Sequence, residues 1–320
     1  MTQEIIENQS NDIQRNTKKP STAQYYIKQA TAENTRQAYR QDIRHFEQWG
    51  GLLPASSQTI IRYLLDHAQS LSTRTLQRRL VAIKQFHLYQ GFPDPTGHPS
   101  VQKTMTGIKK THGKPRAKAP ALRLEQLEQC ITSWPKSNSL NDARDQALLC
   151  VGFFGAFRGR ELLRIDISHL EWREQGVHIS IPKSKTDQTG DGQSCALPSL
   201  NNAVCPVAAL KRWLETSEIK TGLVFPGISR WGQVRSTPMT LRTLNLMIKS
   251  QAERCQFEQA ERFSSHSLRR GLATSASAAG ASFKSIMRQG RWRHEGTVLE
   301  YIEEGQQFQD NAIHSFYDTS

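Results

Sequence analysis

The chain has 320 residues, which is enough for about two domains of ordinary size. Hydrophobic residues make up 37% of it and charged residues 22%, a balance typical of a soluble folded protein. The formal net charge of +13 favours a polyanionic partner such as nucleic acid. A basic protein whose charge serves only solubility is the alternative.

Three local features limit the class of protein further. The longest apolar run, ALLCVGFFGAF at 147–157, is shorter than the ~18 residues that span a bilayer, so we expect a buried core helix there and no membrane partner. The five cysteines form no C-x-x-C pair and are odd in number, which argues against a zinc site and against a disulfide framework. The N-terminus lacks an apolar signal core, so we expect a cytoplasmic protein.

The N-terminal third is predicted to be a polar tail followed by a helical domain. Residues 1–24 are polar and rich in Asn and Gln, which predicts disorder. Residues 25–108 show helical periodicity, broken by Gly and Pro at 50–51 and 91–99. Four cations on or beside its third helix are candidate DNA contacts, although an ordinary solvated helix face would look the same: Arg74, Arg78, Arg79 and Lys84.

Residues 109–120 are predicted to be a basic linker between two domains. The surrounding stretch, GIKKTHGKPRAKAP, contains two prolines, two glycines and no acidic residue. Its Lys109 and Lys110 are further candidate DNA contacts, because each phosphate that a cation neutralises releases counterions. A linker that only aids solubility is again the alternative.

Residues 121–320 are predicted to form a second domain of mixed α+β structure. A helical segment at 141–165 precedes a β-hairpin at 176–198, in which Val177, Ile179 and Ile181 alternate with polar residues. From 204 onward the pattern is again mostly helical. The fold class that we expect is therefore mainly α with a small β-sheet or hairpin.

The second domain lacks several familiar catalytic motifs. It has no P-loop, no H-E-x-x-H metal motif, no carboxylate cluster for two metals and no G-x-S-x-G nucleophile elbow. An enzyme acting on nucleic acid with this sequence would therefore work without a metal or another cofactor. Metal-free phosphodiester cleavage needs cations on the non-bridging oxygens, a nucleophile, and an acid for the leaving oxygen.

The sequence supplies a residue for each of these needs. Arg158 is followed one helical turn later by Glu161, which could orient its guanidinium, and Arg160 competes with Arg158 for the role. Lys185 lies near the hairpin turn, where Lys183 is an equal candidate on position alone. The other candidates follow further along the chain: His266, Arg269, Trp292 and Tyr301.

Together these residues resemble the tyrosine recombinases, also called the phage integrase family. FRGRELL is similar to that family's first-arginine box, KTDQ to its hairpin lysine and HSLRRG to its H-x-L-R box. Trp292 precedes Tyr301 by nine residues (301 − 292 = 9), which resembles the spacing from the family's His/Trp position to its nucleophile. The resemblance covers about residues 25–320, and five boxes in order make it specific.

The resemblance implies a site-specific DNA recombinase or integrase that acts on mobile DNA and double-stranded target sites. Tyr301 would attack the scissile phosphate to give a 3′-phosphotyrosyl bond, with Arg158 and Arg269 clamping the non-bridging oxygens. Lys185 would protonate the leaving 5′-oxygen and His266 would act as acid or base. Trp292 can donate one hydrogen bond but cannot titrate, so it would bind phosphate or support the tyrosine.

The resemblance also implies an assembly and leaves two alternatives open. Four protomers would exchange strands through a Holliday junction, with accessory proteins possible, in association with the nucleoid. The segment after Tyr301 contains Ile313 and Phe316 on one side of a predicted tail helix, which would dock in cis or on the next protomer. A type IB topoisomerase-like enzyme and a catalytically silent DNA-binding protein are the other functions that this sequence allows.

Overall fold

The structure is a computed structural model, and it describes Tyr26 and residues 30–115, 118–135, 139–181 and 193–306. The chain divides into two compact units, Met1–Arg116 and Ala117–Ser320, called here the N-terminal and C-terminal units. The predicted disordered tail at 1–24 lies outside the described residues. So does the tail segment after 306.

The N-terminal unit is built from helices, as its periodicity predicts. Serine side chains cap two of the helices: Ser56 accepts a hydrogen bond from the Thr59 N–H at 3.2 Å, and Ser72 accepts one from Thr75 at 3.1 Å. A single apolar cluster, in which Phe46, Ile60 and Leu76 have no exposed surface, holds the helices together. The described helices are α1 (Glu33–Gln48), α2 (Ser57–His67), α3 (Thr73–Tyr89) and α4 (Pro99–His112), with a 3₁₀ turn at Pro95–Gly97.

Helix α4 continues into the segment that we predicted as a linker from residue 109. Its core-facing Met105 and Ile108 are buried, so the helix keeps its packing up to the predicted boundary. Lys109 and Lys110 then occupy the last turn, where a positive charge interacts favourably with the helix dipole. The expectation of a non-helical linker starting at Lys109 is therefore wrong for residues 109–112. The division between the two units falls after Arg116.

The C-terminal unit combines helices with two small sheets, as the mixed composition of its patterns predicts. Its described helices are α5 (Leu124–Thr132), α6 (Leu140–Phe154), α7 (Gly159–Leu162), α8 (Pro206–Ser217), α9 (Leu241–Arg254), α10 (Ser265–Ala278), α11 (Phe283–Gly290) and α12 (Glu295–Gln306). Its described strands are β1 (Leu170–Arg173), β2 (Gly176–Ile181), β3 (Gln193–Pro198), β4 (Pro226–Ile228) and β5 (Val234–Pro238). The first three strands form an antiparallel sheet in the order β1-β2-β3, and β4 pairs with β5.

The predicted hairpin is present, and its alternation has the expected cause. Val177, Ile179 and Ile181 are buried on one face of β2, while Ser180 is exposed on the other. Strand β3 pairs along the whole of β2, with Ile179 opposite Cys195. Residues 182–192, which connect the two strands, lie outside the described residues.

The centre of the C-terminal unit is α6, a helix buried on nearly every side. It packs against α8 and α10, and Leu148, Cys150 and Phe153 have at most 1% exposed surface. This burial confirms the prediction that the apolar run at 147–157 forms core structure. Among the described helices, none combines the length and the apolar composition that crossing a bilayer requires.

Candidate active site

Helix α10 supplies two of the predicted site residues from its first two turns. His266 is exposed and Arg269 is 4% exposed, so the two side chains occupy very different environments on the same helix. The helix start is fixed from outside, because the Ser265 N–H donates to Asn245 Oδ1 of α9 at 2.9 Å. The position of the pair therefore depends on the packing of α9 against α10.

The small residues that follow in α10 permit close packing, as their composition predicts. A Cβ added at Gly271 would lie 1.7 Å from the carbonyl oxygen of Leu122, so only glycine fits there. Ala273 has no exposed surface and joins a small apolar cluster with Ile286 of α11 and Val298 of α12. These contacts hold α12, the helix that bears Tyr301, against α10.

Arg158 stands immediately before α7, and Glu161 holds it there. Its backbone N–H donates to Glu161 Oε2 at 3.0 Å and its Nη1 donates to Glu161 Oε1 at 2.6 Å. The predicted supporting role of Glu161 therefore has a geometric basis. Arg160 is exposed, and it is absent from the lining of the cavity that Arg158 enters. Of the two candidates, the geometry favours Arg158.

Arg269 is a buried cation with an unused donor. Its Nη1 donates to the carbonyl oxygen of Ala156, and its guanidinium carbon lies 4.3 Å from the centre of the Trp292 ring. Its Nη2 is buried and has no hydrogen-bond partner in the part of the chain that the structure describes. Burial, reinforced by the positive charges of Arg158 and Arg291, lowers the pKa of Arg269 to about 9. A charged guanidinium in this buried environment is destabilised until an anion binds beside it.

Trp292 and Tyr301 face each other across the same region. Their ring centres are 6.3 Å apart and their planes meet at 67°, the edge-to-face arrangement that aromatic pairs favour. The Thr274 hydroxyl of α10 donates to the Tyr301 carbonyl oxygen at 3.1 Å. Arg270, the second arginine of HSLRRG, is buried with its guanidinium carbon 5.0 Å from the centre of the Tyr301 ring. It therefore packs behind the tyrosine.

A cavity of about 170 Å³ brings five of the six predicted site residues together. Among the described residues, none that lines it is acidic. The lining consists of Arg158, His266, Arg269, Trp292, Arg293, His294, Thr297 and Tyr301. The sixth predicted residue, Lys185, and its competitor Lys183 lie outside the described residues. A cavity with this lining can accept an anionic group beside a phenol hydroxyl.

Sequence reasoning missed Arg291, which is buried one residue before Trp292. Its Nη2 donates to the carbonyl oxygen of Gly155 at 3.0 Å and lies 3.9 Å from Glu161 Oε2. The only signal in the sequence was the arginine pair that flanks the tryptophan in GRWR, and nothing in that pattern says which arginine is buried.

A basic surface on the C-terminal unit was also missed. Residues 219–252 contain no Asp or Glu, which the printed sequence shows directly. Between β4 and β5 of this segment, the guanidinium carbon of Arg230 lies 4.1 Å from the centre of the Trp231 ring, and that ring is 71% exposed. Arg235 and Arg242 are exposed further along the segment. An acid-free stretch with exposed cations suits contact with phosphates.

The predicted DNA contacts of the N-terminal unit have different environments. Arg79 is 8% exposed and donates to the Tyr63 hydroxyl at 2.8 Å, so this candidate does not lie on the exposed face of the helix where DNA would be contacted. The buried carboxylate of Asp42 draws it inward. Asp42 also accepts two hydrogen bonds of 2.8 Å from the half-exposed Arg78. Lys84 lies 3.4 Å from the Asp94 carboxylate. Three of the candidates are exposed, and no ion pair is recorded for them among the described residues: Arg74, Lys109 and Lys110.

Comparison with known proteins identifies the family. A family model described as the phage integrase family matches residues 120–307, and a model of the phage integrase N-terminal SAM-like domain matches residues 23–90. The chain belongs to the phage integrase family. An integrase/recombinase xerD homolog from Selenomonas ruminantium is 36% identical over 315 residues, covering 95% of this chain and 92% of that protein. The expectation of a tyrosine-type site-specific recombinase is confirmed.

Solved structures share the fold at much lower identity. A XerH site-specific recombinase in a post-cleavage complex with a palindromic difH substrate aligns with a TM-score of 0.59 at 18% identity, covering 79% of this chain and 70% of that chain. A lambda integrase dimer bound to a COC′ core site aligns with a TM-score of 0.59 at 12% identity, covering 90% of this chain and 77% of that chain. These likenesses confirm the predicted fold class.

Proposed function

We propose that this phage integrase family member cuts and rejoins DNA at specific sites through a covalent bond between Tyr301 and a 3′-phosphate. The observation that carries the proposal is the cavity itself, which Tyr301 lines together with Arg158, Arg269 and His266, and whose lining contains no acidic residue among those that the structure describes. The unused, buried Nη2 of Arg269 supplies a donor where a scissile phosphate would sit.

In the proposed cleavage step, the hydroxyl oxygen of Tyr301 attacks the scissile phosphorus and the bond from phosphorus to the 5′-oxygen breaks. The phenol proton passes to His266, because a phenol with an ordinary pKa near 10 needs a base at neutral pH. The leaving oxygen takes a proton and departs as a 5′-hydroxyl. Lys185 is the proposed donor of that proton, by the family resemblance of KTDQ.

The arginines act on the charge that builds during this step. Arg158 and Arg269 donate to the non-bridging oxygens, for which a planar guanidinium fork is well suited. Trp292 stacks beside Arg269 and faces Tyr301, so it supports both groups without exchanging protons. Attack by a 5′-hydroxyl of a second strand on the phosphotyrosyl bond reverses the chemistry and joins new partners.

The same proposal extends to the assembly and its setting. Strand exchange between two double-stranded sites requires four active tyrosines, so we propose a homotetramer with a dimer on each site and a Holliday junction between the two exchanges. The proposal includes accessory proteins that bend the DNA or set the direction of recombination. It also places the protein in the cytoplasm, associated with the nucleoid, where it acts on the DNA of a mobile element. Relatives bound to substrate DNA, the XerH recombinase among them, support DNA as the partner.

Covalent trapping tests the proposal. The full-length protein is incubated with nicked duplexes taken from DNA that flanks its own gene, beside Tyr301→Phe, and an SDS-resistant protein–DNA band is sought. We expect a band with the wild type and none with the variant. A band that survives in Tyr301→Phe would falsify the assignment of the nucleophile.

Two other results would favour the alternative functions. Relaxation of supercoiled plasmids without any preference for sequence would indicate a topoisomerase-like enzyme. A protein that binds the duplexes tightly but behaves like Tyr301→Phe in every assay would be a silent DNA-binding protein.

A further inference from the structure

Arg291 has a backbone conformation that disfavours its own side chain. It ends α11 with a φ of 55°, in the left-handed region that glycine adopts readily and residues with a Cβ adopt rarely. Its neighbour Gly290 leaves room for the Trp292 ring, because a Cβ there would lie 1.7 Å from a ring carbon. A glycine at 291 would satisfy the backbone with less strain, so the arginine side chain must contribute something that offsets it.

The side chain of Arg291 reaches back into the segment that carries Arg158. Arg291 is 9% exposed, and its Nη2 donates to the carbonyl oxygen of Gly155 at 3.0 Å. Its guanidinium carbon lies 4.7 Å from the centre of the Phe157 ring. Its Nη1 donates to the carbonyl oxygen of Gln289 at 2.9 Å, which fixes the direction of the side chain. These contacts tie the end of α11 to residues 155–157.

Two arginines therefore hold adjacent carbonyl groups of one short segment. Arg291 binds the carbonyl of Gly155, and Arg269 binds that of Ala156. Ala156 itself has a φ of 44°, so this segment is held in a conformation that the surrounding contacts must maintain. The segment leads directly to Arg158, and a change in its path would move the Arg158 guanidinium.

Glu161 connects the two sides of this arrangement. Its Oε1 accepts from Arg158 Nη1 at 2.6 Å, and its Oε2 accepts from the Arg158 backbone N–H at 3.0 Å. Arg291 Nη2 lies 3.9 Å from the same Oε2. The Glu161 carboxylate thus lies between Arg158, which lines the cavity, and Arg291, which does not.

We propose that Arg291 is a positioning residue for DNA cleavage, which orients Glu161 and the 155–157 segment so that Arg158 is aimed at the scissile phosphate. The inference rests on the proposed function of the cavity. Arg291 has a second, electrostatic effect, since its charge adds to the positive potential at Arg269 and is among the causes of the lowered pKa of that residue. Both effects act on Arg158 and Arg269, which line the cavity that would hold the charged phosphate.

The test compares two substitutions to glycine in the full-length protein. Arg291→Gly removes the side chain and relaxes the backbone. Gln256→Gly does the same at an exposed residue with a φ of 56° that does not line the catalytic cavity. The measured quantity is the first-order rate of covalent complex formation on a nicked duplex at saturating protein. Thermal unfolding of each protein checks the fold.

We expect Gln256→Gly to unfold near the wild-type temperature, because relief of the backbone strain and the greater freedom of glycine in the unfolded chain oppose each other. Arg291→Gly also loses its contacts with Gly155 and Phe157, so it should unfold at a lower temperature, and cleavage is measured well below the unfolding temperature of both variants. Only Arg291→Gly should cleave more slowly, by about 10- to 100-fold, the loss that a misplaced catalytic group causes. Arg291→Gln, which keeps an amide donor but no charge, provides a second variant if the glycine variant does not fold, and it should also cleave more slowly.

Two further measurements separate positioning from simple destabilisation. On a duplex with a methylphosphonate at the scissile position, one non-bridging oxygen and its negative charge are absent, so the deficit of Arg291→Gly should shrink. In an Arg158→Lys background, substitution of Arg291 should cost much less than in the wild type, because the group that it positions is already altered. A destabilised protein would show the same relative loss in every comparison.

The outcomes distinguish this inference from the function on which it rests. Wild-type cleavage together with an unchanged rate in a folded Arg291→Gly would overturn the positioning role alone. A wild-type protein that forms no Tyr301-dependent covalent complex would overturn the proposed function and the inference with it.

Discussion

The two units of this protein each contain a cluster of arginines around one carboxylate, and the clusters differ in what completes them. In the N-terminal unit, Asp42 is 2% exposed and binds Arg78 through two hydrogen bonds of 2.8 Å, with Arg79 Nε at 3.5 Å. Arg79 then donates to the Tyr63 hydroxyl. The protein itself supplies an ion-pair partner for both arginines of this cluster, although Arg79 Nε makes no hydrogen bond among the described residues.

In the C-terminal unit, two arginines lie within ion-pair distance of the Glu161 carboxylate, and the charge of that carboxylate also influences a third. Arg158 is bound to the carboxylate directly and Arg291 lies 3.9 Å away, while Arg269 keeps a buried Nη2 without a hydrogen-bond partner among the described residues. Among the described residues, none that lines the cavity in front of Arg158 and Arg269 is acidic. Both arginines of the N-terminal cluster thus pair with a carboxylate of the protein, whereas Arg269 lines a cavity that can admit an external anion.

Among the substitutions that test this difference between the two units, Arg269→Ala should have the largest effect. We expect the rate of covalent complex formation to fall about 10²- to 10³-fold, as the loss of a preorganised donor to an oxyanion does. The rate is measured by gel separation of the complex at saturating protein. Arg160→Ala is the matched control, since Arg160 is exposed and does not line the cavity, and it should cleave at the wild-type rate. Equal losses in both variants would contradict the assignment.

The N-terminal cluster should respond to substitution in stability. Asp42→Asn leaves the buried Arg79 without its carboxylate, so we expect the free energy of unfolding of this unit to fall by about 3 kcal/mol. In protein labelled with 5-fluorotryptophan, the fluorine resonance of Trp49, assigned with Trp49→Phe, reports this transition during denaturation by urea, because Trp49 is the only tryptophan before residue 117.

Arg74→Ala tests an exposed arginine of the same unit, for which we expect an effect on DNA binding and none on stability. Arg74 is exposed, so its loss should leave the unfolding curve unchanged, weaken DNA binding, and reduce the slope of log affinity against log salt by about 1. An Asp42→Asn variant with the wild-type free energy of unfolding would show that the cluster of Asp42, Arg78 and Arg79 does not stabilise the fold.

The smallest expected effect is a dependence of the stability of the N-terminal unit on pH. Burial and the charge of Arg79 lower the pKa of His45 and of His67 below their ordinary value of 6.5, and Asp42 and Asp66 oppose these shifts. A base with a lowered pKa binds fewer protons when folded than when unfolded. Stability is therefore complete above pH 6.5 and declines as the pH falls below it.

Urea denaturation followed by the fluorine resonance of Trp49 at pH 7.5 and at pH 5.5 measures this decline. His67→Asn should reduce it by removing one of the two groups. A decline of the same size in that variant would assign the pH dependence elsewhere.

The fold was largely predictable because its signals are local. The apolar stripes of the first three helices, the serine caps at Ser56 and Ser72, and the alternation in β2 each depend on neighbours in the sequence. The end of α4 was misplaced because Lys109 and Lys110 follow buried residues of the same helix, and charge alone does not show where a helix stops.

The chemistry of the site was also predictable from residue types and their order, which reflect what phosphodiester cleavage requires. Arg158, His266, Arg269, Trp292 and Tyr301 line one cavity as that order implies. The spacing of Arg158 to Glu161 already indicated which of the two neighbouring arginines is held, and Glu161 binds Arg158 while Arg160 is exposed. Tertiary structure added the cavity that Arg158 lines, because its other walls come from distant parts of the chain.

The sequence by itself therefore determined the helical domains, the family and the set of reactive side chains, because these depend on spacing along the chain. Tertiary structure alone decided which cations are neutralised. Arg79 and Arg291 both look like surface residues in the sequence, and burial beside Asp42 and Glu161 gives them structural contacts. A charge is satisfied by whatever lies within a few ångströms of it, and those neighbours come from distant parts of the chain.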